Sequence, residues 1–285
     1  MTEKKQNKTV FAVINLANTG EQQKNCARYA AQMAKSLGMD LVLYPQIDEI
    51  QISFEEGVRR VADIAYKING VCEVRVSERR IKTFFKPALT ILQLFTSFAS
   101  LHSIAKKENA GFIIMGTKED IGIKINQKNS FTDVVWDTTE KSDILIMILP
   151  HDIEFSPFKQ ITIAMDRERK LSKMNIATMF AKTFGSTIHI FLENPDEKSI
   201  EVTNEIMLNH IKKKLCLEKI PFKVTLARSK KDFAKNLCLI TAKRSNLLLI
   251  EVEPGTIKSA VKDSIQEVFD TKGNFPVLFF KTQPM

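Results

Sequence analysis

The sequence is short of the residues that staple small proteins or hold metals. Its four cysteines, Cys26, Cys72, Cys216 and Cys238, are too few and too scattered for a disulfide framework or a CxxC site. A reducing cytoplasm is the compartment that fits. The four histidines, His102, His151, His189 and His210, show no HExxH or other close ligand spacing, so no metal is expected. With 10 Gly and 9 Pro in 285 residues, collagen-like and low-complexity chains are excluded. Met1 to Lys8 is polar, and only the short apolar run Val10 to Ile14 stands behind it, so no signal peptide is expected. There is no GxxxxGK[ST] loop, no GxSxG elbow and no Cys beside a His. No catalytic residue is therefore nominated, and the chain is not expected to be an enzyme.

What is present is ordinary globular material, 44% hydrophobic and 26% charged, in a length that suits two domains. The net charge of +9 is spread over both halves. The densest basic run, Lys212, Lys213, Lys214 and Lys219, falls on an expected helix ending before Pro221, where cations suit the helix C-terminus. It reads as a solvated face, and no nucleic-acid partner is expected. Pro87 to Ala105 carries no Asp, Glu, Lys or Arg and could be taken for a membrane segment. Yet Lys86, Thr90, Gln93, Ser97 and Ser100 form a polar stripe opposite Leu89, Ile91, Leu92, Phe95, Phe98 and Ala99. That periodicity predicts a buried or interface helix, and a membrane role is not expected.

One pattern is written twice. Thr9 to Asn15 is a continuous apolar run typical of a buried parallel strand. A helical stretch with Cys26, Tyr29, Ala30, Met33, Ala34 and Leu37 on one face follows, then Gly38 as its C-cap, then the strand-like DLVLYP. From Gln160 the order recurs, with QITIAMD, a helix near Lys173 to Phe184, Gly185, and TIHIFLE. Each half then offers a further strand, Phe112 to Gly116 or Leu247 to Glu251, and a last one, Ile144 to Leu149 or Val277 to Phe280. More residues separate Gly38 from Gly116 than Gly185 from Glu251, so the first half carries an insertion, assigned to the Phe-rich helix. The expected domains are 1–150 and 158–285, joined by a linker over 151–157. Alternating strands and helices of this kind imply parallel sheets covered on both faces.

This order resembles the universal stress protein family, in tandem, over essentially the whole chain. Family members carry a strand ending in Asp, and a later strand ending in Met-Gly before G-x2-G-x9-G-[ST], whose glycines let backbone N–H groups approach phosphate. Here Gly116, Glu119, Asn129 and Ser130 stand at the four motif positions of the first half, and Glu251, Pro254, Asp263 and Ser264 at those of the second. The first-strand acid is Asn15 in one half and Asp166 in the other. The resemblance implies two open, mainly parallel five-stranded α/β sheets of the adenine nucleotide alpha hydrolase-like, Rossmann-like kind. It further implies pairing of the two domains through their last strands, one chain imitating a homodimer.

The nucleotide-binding candidates are Asn15, Gly116, Thr117, Ser130, Asp166 and Ser264. Bland roles stand beside them: a turn after a strand for Gly116, and helix N-caps for Ser130 and Ser264. Glu119 brings like charge toward phosphate, and Pro254 removes a donor. The expectation is a stress-response or regulatory protein without catalysis, in which ATP or another adenine nucleotide has a place only in the first domain. The competing readings are slow ATP hydrolysis, and docking of an unidentified protein, or a second copy, through helix 84–105.

Overall fold

The computed structural model describes residues 8–15, 21–46, 56, 59–60, 62–64, 74–77, 80–83, 89–91, 101–117, 135, 139, 143–150, 153–165, 173–192, 198–226, 237, 247–252 and 275–281. The architecture is α/β, with mainly parallel strands and crossover helices. The chain clusters into two compact units, residues 1–131 with 144–155, and residues 132–143 with 156–285.

In unit 1, β1 (Thr9–Asn15), α1 (Glu21–Leu37) and β2 (Asp40–Gln46) form the opening βαβ unit. They are followed by β3 (Val74–Ser77), β4 (Arg80–Thr83), β5 (Leu89–Ile91), α2 (Leu101–Lys107), β6 (Ala110–Met115) and β7 (Leu145–Ile148). The strand order is β7-β6-β1-β2-β5-β4-β3. The first five of these run parallel, while β4 is antiparallel to both β5 and β3. In β1, Val10, Phe11, Ala12, Val13 and Ile14 are all fully buried. A strand covered on both faces has no solvent side for polar residues, which is why its sequence is continuous rather than alternating. Helix α1 lays Cys26, Ala27, Tyr29, Ala30, Met33 and Ala34 inward, and the Cys26 thiol donates to the Val13 carbonyl at 3.8 Å.

Unit 2 contains β8 (Gln160–Met165), α3 (Lys173–Phe184), β9 (Thr187–Leu192), α4 (Lys198–Leu217), β10 (Phe222–Leu226), β11 (Leu247–Glu251) and β12 (Val277–Phe280). Its strand order is β10-β9-β8-β11-β12, with every pair parallel. Phe158, Phe180 and Phe184 cluster at the lower end of α3, with ring centroids 4.8 to 6.0 Å apart. The Ser186 hydroxyl donates to the Phe158 carbonyl there at 2.5 Å. Helices α3 and α4 are tied by Lys182–Glu218 at 2.9 Å and by Lys214 to Asn175 at 2.7 Å.

The segment expected to be one helix from Pro87 to Ala105 is corrected. Leu89–Ile91 is a strand that pairs parallel to β2 and antiparallel to β4, helix α2 spans Leu101–Lys107, and residues 92–100 lie outside the described residues. Leu-Thr-Ile suits an extended backbone, and pairing with β2 and β4 outweighs the local helical period. The surplus of the first half thus includes the antiparallel strands β3 and β4, which have no counterpart among the described residues of unit 2.

Among the described residues, α1, α2, α3 and α4 are each followed by a left-handed residue, Gly38, Asn109, Gly185 and Lys219 respectively, with φ of 63°, 54°, 67° and 56°. After α1, the Met39 N–H reaches the Ala34 carbonyl at 2.9 Å, and after α4 the Ile220 N–H reaches Leu215 at 2.9 Å. These bonds close the carbonyls that a helix end leaves open. Lysine at φ 56° pays a Cβ penalty of roughly 1 kcal/mol that glycine avoids. Lys219→Gly is therefore expected to raise stability by about 0.5 to 1 kcal/mol after its own entropy cost, moving the thermal midpoint up by about 2 °C. A lower midpoint in calorimetry would contradict this account of the cap.

Tyr29 is buried, with its ring edge-on to Phe155 at 5.2 Å, and its hydroxyl finds no hydrogen-bond partner among the described residues. Burial pushes the phenol well above its usual range. The folded state thus keeps the neutral form, a contribution present below the unfolded phenol pKa near ~10 and lost as pH rises beyond it. Tyr29→Phe is expected to leave neutral-pH stability nearly unchanged and to flatten its alkaline loss in urea titrations run from pH ~8 to ~11.

Candidate functional site

In each unit the chain leaves the middle of the sheet in opposite directions. From β1 it proceeds to β2 and β5 on one side, whereas β6 and β7 lie on the other. From β8 it proceeds to β9 and β10, with β11 and β12 opposite. Crossover connections then diverge at the carboxyl ends of β1 and β6, and of β8 and β11, leaving a crevice where open α/β sheets take ligands.

In unit 1, Ala12 is level with Ile114, so the same register brings Gly116 level with Ile14, one residue short of Asn15. Asn15 is the last residue of β1, opposite Gln46 on β2. Gly116 and Thr117 follow β6 directly, and Thr117 is buried at 9% exposure. The Leu149 N–H donates to the Met115 carbonyl at 2.8 Å and holds the neighbouring strand end against this turn. The backbone therefore brings Asn15, Gly116 and Thr117 to one crevice. Ser130 lies outside the described residues, as do Glu119 and Asn129.

In unit 2, Ile163 is level with Leu249, which makes Glu251 level with Met165, just before Asp166. Asp166, Ser264, Pro254 and Asp263 lie outside the described residues. Glu251 is half-buried with its Oε2 shielded from solvent. It stands at the strand end where Gly116 stands in unit 1. A carboxylate at that place repels an anionic ligand that a glycine would admit.

A polar chain that sequence reading did not single out crosses β8, β9 and β10 diagonally, from Gln160 at the start of β8 through His189 to Thr225, the fourth residue of β10. Lys223 Nζ donates to Gln160 Oε1 at 3.0 Å, which turns the Gln160 amide toward His189 Nδ1 at 3.3 Å. His189 Nε2 lies 2.8 Å from Thr225 Oγ1. Because an amide NH2 can only donate, Nδ1 must accept, so the imidazole is neutral and carries its proton on Nε2, which donates to Thr225. Gln160 and His189 are 7% and 2% exposed, so each of these bonds replaces water that is not there. The signal in the sequence is polar residues two apart, Gln160 with Thr162 and Lys223 with Thr225. Only strand register shows that they meet. This chain lies away from the crevice, and its role is to satisfy buried atoms.

Glu56 accepts from Arg60 at 2.7 Å and pairs with Arg59, and the Arg60 hydrogen bond first of all holds its carboxyl below the usual range. Among the described residues, no group of three or more His, Cys, Asp or Glu could hold a metal ion. Nor is any helix among them long and apolar enough to cross a membrane.

Comparison with known proteins bears on fold. No protein-family model matches the chain, and no curated protein matches it significantly. Solved structures do. A universal stress protein from Archaeoglobus fulgidus DSM 4304 is similar over 95% of this chain and 96% of its own, with 14% identity and a TM-score of 0.58. A protein provisionally described as a universal stress protein from Pseudomonas aeruginosa UCBPP-PA14 is similar over 96% and 93%, with 13% identity and a TM-score of 0.58. The cytoplasmic domain of a prokaryotic cation chloride cotransporter is similar over 96% and 95%, with 7% identity and a TM-score of 0.53. At these identities the likeness is one of fold: the chain has a universal-stress-protein-like α/β fold.

The polar chain in unit 2 can be tested by breaking its middle. Gln160→Leu keeps the volume but removes the amide that donates to the buried His189 Nδ1, an expected loss of about 1 to 3 kcal/mol in urea unfolding. Thr225→Val, at the half-exposed end, is expected to cost less than about 1 kcal/mol. Equal costs would show that burial, not donor count, sets the energy.

Proposed function

We infer that the chain is a universal stress protein-like protein of tandem form, a cytoplasmic regulatory or stress-response module without catalysis, whose adenine-nucleotide binding is weak or lost. The observation that carries this reading is the pair of strand ends at the crevices. Unit 1 keeps Gly116 and Thr117 beside Asn15, a geometry open to a nucleotide, whereas unit 2 places the half-buried Glu251 at the equivalent end. The sequence adds Glu119 and Asn129 where the family's phosphate loop has glycines. Each Cβ there obstructs backbone approach to phosphate, and Glu119 adds like charge.

ATP titrated into the purified chain on a calorimeter is expected to bind no tighter than about 1 mM, a free energy of about −4 kcal/mol. Phosphate release is expected to stay at background and to be indifferent to Asn15→Ala and Ser130→Ala. The double variant Glu119→Gly with Asn129→Gly is expected to tighten ATP binding by about tenfold or more, close to 1.4 kcal/mol. Micromolar binding by the unaltered chain, or phosphate release that Asn15→Ala abolishes, would replace this reading with a nucleotide switch or a slow hydrolase.

A further inference from the structure

The polar chain across β8, β9 and β10 has a direction. Lys223 Nζ can only donate, so Gln160 gives it the oxygen at 3.0 Å and turns its NH2 toward His189 Nδ1 at 3.3 Å. The imidazole proton then sits on Nε2 and goes to Thr225 Oγ1 at 2.8 Å. That direction excludes a nucleophilic use of the Thr225 hydroxyl, because a base would need Nε2 without its proton. A second proton at His189 has one place to go, Nδ1, where it meets the N–H of the amide. Gln160 can accept it only by turning over, which swings the NH2 against the Lys223 ammonium. At 2% exposure of His189, water does not take the place of the amide.

Among the described residues, the charge that this proton confronts is Lys223. It is the one Lys, Arg, Asp or Glu in β8, β9 and β10, and register sets it level with His189, which is level with Thr162. On β11, Leu248 is level with Thr162, so strand alternation puts Glu251 on the other face. On α3 and α4, Lys182 is paired with Glu218 and Lys214 with Asn175, Glu205, His210 and Lys213 are exposed, and Lys212 is half-exposed. We propose that His189 is a proton-operated latch on β10: binding a proton turns Gln160 over and releases Lys223, so that acid removes the side-chain tie between β8 and β10. Strand β10 stands at the end of the strand order and is half-exposed, which makes it the strand of unit 2 that such a loss frees to open first. The latch needs the neutral imidazole. Its hold is therefore full above the ordinary imidazole pKa near ~6.5 and is lost as pH falls below it.

Amide hydrogen exchange on the full chain, corrected for intrinsic rates, tests the latch at pH about 7.5 and about 5. The β10 amides are expected to lose protection by about fivefold at the lower pH, while those of β11 and β12 keep theirs. Lys223→Met should loosen β10 at both pH values and abolish the difference between them. Gln160→Glu, whose carboxylate accepts from Lys223 and from protonated His189 together, should hold β10 at both. Plain repulsion between the two cations predicts the reverse for Lys223→Met, a β10 tightened in acid, and that result overturns the proposal. Nitrogen-15 spectra of His189 need no substitution: the Nε2–H tautomer is expected at the higher pH and the imidazolium at the lower. An Nδ1–H tautomer, or an imidazole still neutral at the lower pH, overturns the proposal. So does β10 protection that ignores pH, or a loss that β11 and β12 share equally.

Discussion

Burial of the central strands on both faces is the constraint from which the rest follows. β1 and β8 have neighbours on either side, and their described side chains are buried apart from the partly exposed Ala164, so they have almost no water to turn to. From Val10 to Ile14 the answer is wholly apolar, and β8 answers with Ile161, Ile163 and Met165, all fully buried. Where a polar residue enters this layer it must be satisfied by protein. Gln160, His189 and Ser186 each have a partner in a neighbouring strand or turn. Tyr29 is the instructive departure, a phenol kept for the packing of its ring against Phe155 rather than for its hydroxyl.

Much of the fold could be read from the sequence because this constraint leaves a local mark. Strands β1, β2, β6, β8, β9, β11 and β12 are predominantly apolar runs, and Gly38 and Gly185 announce the ends of α1 and α3 through the left-handed backbone that they adopt. The reading failed where local and tertiary preferences part. The stretch from Leu89 has a helical period, yet Leu89–Ile91 joins the sheet, because pairing with β2 and β4 satisfies its backbone in a way that no sequence window records. The strands β3, β4 and β10 were missed for a related reason. They are short, and β10 is half-exposed, so they carry no continuous apolar signature.

The crevice of unit 1 was legible to the level of the backbone. Asn15 and Gly116 end strands that a strand–helix repeat must set side by side, so their adjacency follows from topology without any knowledge of side chains. The chemistry of unit 2 was not legible in that way. Gln160, His189 and Thr225 come from three strands, and their meeting depends on the register of each pair, which sequence alone leaves open. The weight of Glu251 also needed the structure. Its identity is plain in the sequence, but its partial burial at the strand end is what turns a charge into an obstacle.

The way in which the units draw on the chain has its own consequence. Residues 132–143 belong with unit 2, and residues 144–155 belong with unit 1. The polypeptide therefore changes unit three times between its ends. No single proteolytic cut or gene truncation yields both units whole. During synthesis, unit 1 waits for β7 until a stretch of unit 2 has already left the ribosome. A truncation that ends before residue 144 takes β7 from unit 1, and one that begins after residue 143 takes residues 132–143 from unit 2.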